Sequence, residues 1–135
     1  MVVRHATHMT VRRTADARRA RVTKICLALP ETVDRGPGQH TAFKVRGKKF
    51  AYFLDDHHGD GRLSVCMRAA SGENDALVAA DPRRYFIPAY IGPRGWVGYY
   101  LDVGGEDWGE VTDLLTESYR LAAPRRLAAQ LDVSE

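Results

Sequence analysis

The chain has 135 residues, 44% of them hydrophobic and 27% charged, the proportions of one soluble globular domain. A domain of this length buries roughly two-thirds of its unfolded surface, so neither disulfides nor a structural metal are required for a core. No apolar run reaches the roughly 18 residues of a membrane span, and no hydrophobic segment follows the charged N-terminus as in a secretory leader; a cytoplasmic protein is expected.

The formal net charge of +3 is unevenly spread. Residues 1–24 hold Arg4, Arg12, Arg13, Arg18, Arg19, Arg21 and Lys24 against Asp16 alone, a balance of +6. From Ile25 onward, 13 Lys/Arg face 16 Asp/Glu, a balance of −3. Residues 1–21 therefore read as a basic N-terminal extension, either a solvated, disordered leader or an arm that grips phosphates. A single, mildly acidic domain over 22–135 follows. Cys26 and Cys66 are expected to be buried free thiols, as in a reducing compartment.

Thr14 is placed to cap a first helix, with Asp16 in its first turn. Val22, Ile25, Cys26 and Leu29 then recur at helical spacing, and Pro30 ends the segment. Arg18, Arg19 and Arg21 fall on the opposite face, where they would show positive charge to solvent. Breakers at Arg35-Gly36-Pro37-Gly38-Gln39 mark a turn. Three strand patterns succeed it. Thr41, Phe43 and Val45 alternate with polar neighbours, and Gly47 supplies the turn. Phe50, Tyr52 and Leu54 are predicted on one face and Lys49, Ala51 and Phe53 on the other. Leu63, Val65 and Met67 form a third apolar row, so the sum is an antiparallel meander.

Ser71 is a candidate N-cap for a short helix stopped at Asp81-Pro82. Residues 83–93 read as irregular or edge structure, and Trp96 to Leu101 as a strand covered on both sides. Asp107 and Glu110 resemble a capping box for a helix whose buried face is Trp108, Val111, Leu115, Tyr119 and Ala122. Pro124 sits at the first position of a last helix. The order α, β, β, β, α, β, α, α gives an α+β class with an antiparallel sheet.

Several blocks resemble the MmcQ/YjbR family, in order along the chain. They are Leu27-Ala28-Leu29-Pro30-Glu31-Thr32-Val33, the segment from His40 to Ala51, and Ala80-Asp81-Pro82-Arg83-Arg84-Tyr85-Phe86. Gly95-Trp96-Val97-Gly98 and Tyr119-Arg120-Leu121-Ala122-Ala123-Pro124 complete the set. The resemblance runs from about Val22 to Leu131. It implies a CyaY-like or YjbR-like two-layer sandwich, an antiparallel β-sheet with helices packed on one face. It also implies a DNA-binding description with paired hairpin wings.

The hairpin cations Lys44, Arg46, Lys48 and Lys49 suit a phosphate-gripping wing, or alternatively a solvated tip that discourages edge pairing. Arg94, in the Gly92-Pro93-Arg94-Gly95-Trp96 loop, could clamp an anion; the alternative is a tight turn with Trp96 in the core. His57 and His58 lie among aspartates without metal-ligand spacing, and His40 stands alone, so no metal site is expected. Ser64, Ser71 and Ser118 lie in no nucleophile elbow, and no cofactor motif occurs. No enzyme chemistry is expected, and the chain reads as a monomer with DNA as its expected partner. The alternative is a small-ligand or protein-interaction domain that uses an aromatic sheet surface near Tyr90, Trp96 and Tyr100.

Overall fold

A computed structural model describes residues 2–35, 40–56 and 59–133, with side chains for 14–35, 40–56 and 59–132. The order is α1 (Val2–Leu27), β1 (Thr32–Arg35), β2 (Thr41–Val45), β3 (Lys48–Asp55), β4 (Leu63–Arg68), α2 (Glu73–Ala80), β5 (Tyr85–Phe86), β6 (Trp96–Tyr100), α3 (Trp108–Ala122) and α4 (Arg125–Val133). The strands form one six-stranded sheet in the order β1-β2-β3-β4-β6-β5. Every pairing is antiparallel. The fold is α+β, a two-layer sandwich of sheet and helices.

The helices α1 and α3 cover one face of the sheet. In antiparallel pairs, directly opposed residues share a face and successive residues alternate between faces. One buried row runs Phe43, Ala51, Met67, Val97, and the next runs Phe53, Val65, Tyr99, Tyr85. Val22 and Cys26 of α1, and Val111, Leu115 and Tyr119 of α3, close the core from above. Tyr119 meets Phe50 edge-on, with ring centroids 5.6 Å apart.

Strand β3 departs from the expected phase. Phe43 pairs with Ala51, but Lys44 pairs with Lys49, so Phe50 is an extra residue in a β-bulge. Phe50 and Ala51 are consecutive and both fully buried. Beyond the bulge Phe53 points to the helices, whereas Tyr52 and Leu54 turn to the other face, which corrects the grouping of Phe50, Tyr52 and Leu54. Buried Ser118 of α3 bonds to both sides of the irregularity. Its hydroxyl donates to the Phe50 carbonyl at 2.5 Å and accepts the Arg68 N–H at 2.8 Å.

Other boundaries shift for local reasons. Helix α1 begins well before Thr14, which lies inside it. Arg18 and Arg19 turn onto the body rather than to solvent. Arg18 Nε donates to the Leu101 carbonyl at 2.6 Å, and Arg19 lies 3.5 Å from Asp55 and over the Phe53 ring. Arg21 sits over Trp108. Their long apolar stems cover the core while the guanidinium heads find acceptors and ring faces. The residue preceding α2 is Gly72, with φ 79° and no side-chain cap, rather than Ser71. At α3 Asp107 accepts from the Glu110 N–H, but its own N–H goes to the Tyr99 hydroxyl, leaving half a capping box. Pro124 stands one residue before α4, its carbonyl accepting from Leu127 and Ala128. The short strand β1 has no counterpart in the sequence reading. Positions 36–39 of the expected turn, and His57 and His58, lie outside the described residues.

Ser118→Ala removes one hydroxyl and strands two backbone groups in the core. A loss of about 2 to 3 kcal/mol in unfolding free energy is expected, read by urea denaturation. Both cysteines are buried and unpaired. Burial pushes the Cys66 thiol up to about 12 and raises Cys26 as well. Neither thiol should react with a disulfide reagent at pH 8 until denaturant is added, when two equivalents appear.

Candidate nucleic-acid interface

Alternation along the strands fixes what the second face presents. Row by row it holds Tyr52, Cys66, Gly98 and Phe86, then Leu54, Ser64 and Tyr100, then Arg68 and Trp96. Gly98 permits this packing, because a Cβ there would fall inside the Phe86 ring. Phe86 stacks on Tyr100 at 4.5 Å, and Tyr52 leans on Trp96 at 5.3 Å. The rings form two pairs on one face, and within the Tyr52 pair Trp96 is itself buried.

Each end of that surface carries cations over the rings. Lys49 Nζ lies 5.6 Å from the Tyr52 centroid, and the Arg68 guanidinium lies 5.1 Å from that of Trp96. Arg68 Nε also donates to the Lys49 carbonyl at 2.8 Å. Arg62 lies 3.7 Å above Tyr100 and forms a two-pronged pair with Asp102, at 3.0 and 3.1 Å. The Leu63 N–H joins Asp102 at 2.9 Å. Burial pushes the Asp102 carboxyl up, but the bonds from Arg62 and Leu63 outweigh it and hold the group below its ordinary value.

Beside the aromatics lies a groove of about 450 Å³, walled by Tyr52, Leu54, Phe86, Pro88, Tyr90 and Ile91. Asp60 and Ser64 are the polar side chains in its lining. The loop after β5 forms one wall and ends in a 3-10 turn at Gly92–Arg94. Buried Asn74 of α2 anchors that turn, donating to the carbonyls of Gly92 and Trp96 at 3.1 and 3.2 Å. Gly95 adopts φ 92°, so the tight-turn reading of this loop holds, with Trp96 buried.

The four hairpin cations do not converge. Lys44 opposes Lys49 across β2 and β3, and both belong to the aromatic face. Lys48 opposes buried Val45, so its row belongs to the helix side, although the side chain is exposed. Arg46 occupies a two-residue turn with Gly47, both at positive φ, and is held by Glu31 at 2.6 and 3.1 Å. The hydrogen bond from Arg46 lowers the Glu31 carboxyl, and the pair is solvent-exposed. Arg94 is exposed on a separate cavity of about 570 Å³ with Ser71, Asn74 and Asp75. No carboxylate among the described residues pairs with Lys44, Lys48, Lys49 or Arg94.

Of the aromatic residues named from sequence, Tyr90 walls the groove and Tyr100 adjoins it through Phe86, while Trp96 supports Tyr52 from below. Sequence reading passed over Arg62, Arg68 and Phe86. Their grouping arises only on folding: the register pairs Arg68 with Trp96 and Phe86 with Gly98, and the Arg62–Asp102 pair forms just beyond the ends of β4 and β6. No group of described His, Cys, Asp or Glu side chains is arranged to hold a metal. No described helix is long and apolar enough to cross a membrane.

The YjbR family model matches residues 27–121. The chain belongs to the YjbR family. A solved structure, that of Deinococcus radiodurans protein DR2400 with its DUF419 domain, is similar to this YjbR chain at 23% identity and TM-score 0.60. The alignment covers 73% of this chain and 72% of that one, a likeness of fold. No curated protein matches.

The Arg62–Asp102 clamp makes a pH prediction for this YjbR domain. Because folding lowers the Asp102 pKa, the clamp's contribution is fully present above the unfolded value of about 3.9 and is lost as pH falls through the folded value. Partial exposure limits its size, so Asp102→Asn should cost about 1 kcal/mol at pH 7. Thermal melts of both proteins should converge as pH falls further below the unfolded value of about 3.9.

Proposed function

We propose that this YjbR protein binds nucleic acid, DNA in the first instance, through the aromatic face of its sheet. One observation carries the reading: Lys44, Lys49 and Arg68 share a face with aromatic rings and have no carboxylate partner among the described residues. Cations in that state are available to phosphate, and adjacent rings offer stacking surface, the combination used for nucleic-acid backbones and bases. The role of Arg46 in the hairpin set is reduced, since Glu31 already occupies its guanidinium. Lys48, whose row lies on the helix side, and Arg94, on a separate cavity, would add only long-range attraction.

The apolar lining of the groove favours a second reading, a small aromatic ligand held without phosphate contacts. Salt dependence separates the two. Fluorescence anisotropy with a labelled DNA should show log affinity falling linearly with log salt, at about 0.9 per phosphate contacted. The double substitution Lys44→Ala with Lys49→Ala should reduce that slope by about 1 to 2, while Arg46→Ala leaves it unchanged. No binding at low salt, together with thermal stabilisation by a neutral aromatic compound, would favour the ligand reading.

A further inference from the structure

We propose that the nucleic acid is bound with a base unpaired, seated in the groove between Tyr52 and Tyr90; the preferred substrate is a single strand. This inference rests on the nucleic-acid reading and adds the form of the strand. Tyr90 is 88% exposed, far more than the other exposed large hydrophobic residues. Its backbone is left-handed, at φ 67°, a conformation that is an outlier for a bulky residue. The flanking hydrogen bonds hold it there. The Ile91 N–H donates to Ala89 at 2.8 Å, and the Gly92 N–H donates to Pro88 at 2.9 Å. Buried Asn74 then fixes the Gly92 carbonyl. The ring is thus presented to solvent from a fastened loop, at a cost in backbone energy.

The groove supplies the rest of the argument. It is about 450 Å³, lined by aromatic and aliphatic side chains, and suits one planar heterocycle. A base inside a duplex shows its faces only to its stacked neighbours, so it can use such a groove only when unpaired. The charges give the strand a direction. Tyr52 is both a wall of the groove and the ring beneath Lys49, with Lys44 opposite, so phosphate falls on the hairpin side. Asp60 lines the groove itself, where a carboxylate repels phosphate and can accept from a base amino group.

The test is anisotropy binding of the full chain to a labelled single-stranded oligonucleotide and to the duplex of the same sequence. The proteins compared are wild type, Tyr90→Asn and Tyr90→Phe. Asparagine tolerates the left-handed backbone, and the exposed ring makes no core contact, so the fold should survive; circular dichroism verifies it. The single strand should bind more tightly than the duplex. Tyr90→Asn should weaken the single strand by about tenfold or more while barely affecting the duplex, and Tyr90→Phe should bind like wild type. Equal affinity for both forms, with no effect of Tyr90→Asn, overturns the base seat and leaves the nucleic-acid reading standing. Failure of both oligonucleotides to bind overturns that reading, and the base seat with it.

Discussion

The two faces of this sheet depend on the bulge at Phe50. An unbroken strand from Lys48 to Asp55 would alternate strictly, and whichever phase it chose would put large apolar side chains on the wrong side. The extra residue lets Phe50 and Phe53 both reach the helices while Tyr52 and Leu54 turn away. A bulge frees backbone groups, however, and a buried carbonyl without a donor is costly. Ser118 meets that requirement from α3, bonding to Phe50 on one strand and Arg68 on the next. One hydroxyl therefore joins helix, bulge and the end of β4, and the orientation of Tyr52 and Arg68 on the second face follows from it.

Local pattern revealed the elements it could govern. Thr41, Phe43 and Val45 in β2, Val65 and Met67 in β4, and the Val111–Leu115–Tyr119 stripe of α3 are all buried as their spacing predicts. The phase of β3 was not legible. Phe50, Ala51, Tyr52, Phe53 and Leu54 are all apolar, so period 2 fits either face, and only pairing with β2 reveals the skipped residue. Strand β1 escaped because it has four residues and a polar, mostly exposed pattern. Of the candidate site, Lys44, Lys49 and Tyr90 were legible as residue types. Their grouping with Arg68 and Phe86 was not, because it arises between strands distant in sequence.

Net charge was a poor guide for a related reason. Many of the arginines are structural: Arg18 bonds to Leu101 and Glu106, Arg62 to Asp102, Arg84 to Tyr100 and Gly104, and Arg46 to Glu31. A planar, permanently charged fork satisfies carbonyls and carboxylates with little reorganisation, which suits it to such fastening. Their charge is compensated or committed and contributes little field outward. What matters for an anion is which of the cations without acidic partners the sheet brings together beside its rings, here Lys44, Lys49 and Arg68.

That placement also bears on how a ligand would be met. Lys49 over Tyr52 and Arg68 over Trp96 are already restrained by the ring faces, and Arg68 by a backbone carbonyl too. Long cationic side chains otherwise lose much rotamer freedom when they bind, and partial ordering in advance lowers that cost. A cation over a ring keeps its outer side open, so an approaching oxyanion adds a contact without breaking the one beneath it. Carboxylate partners would act differently, since an anion must first compete with them, as it would at Arg46. The physical distinction between this face and the hairpin tip therefore lies in what holds the cations. A ring leaves the outer side of a cation open, whereas Glu31 already occupies the guanidinium of Arg46.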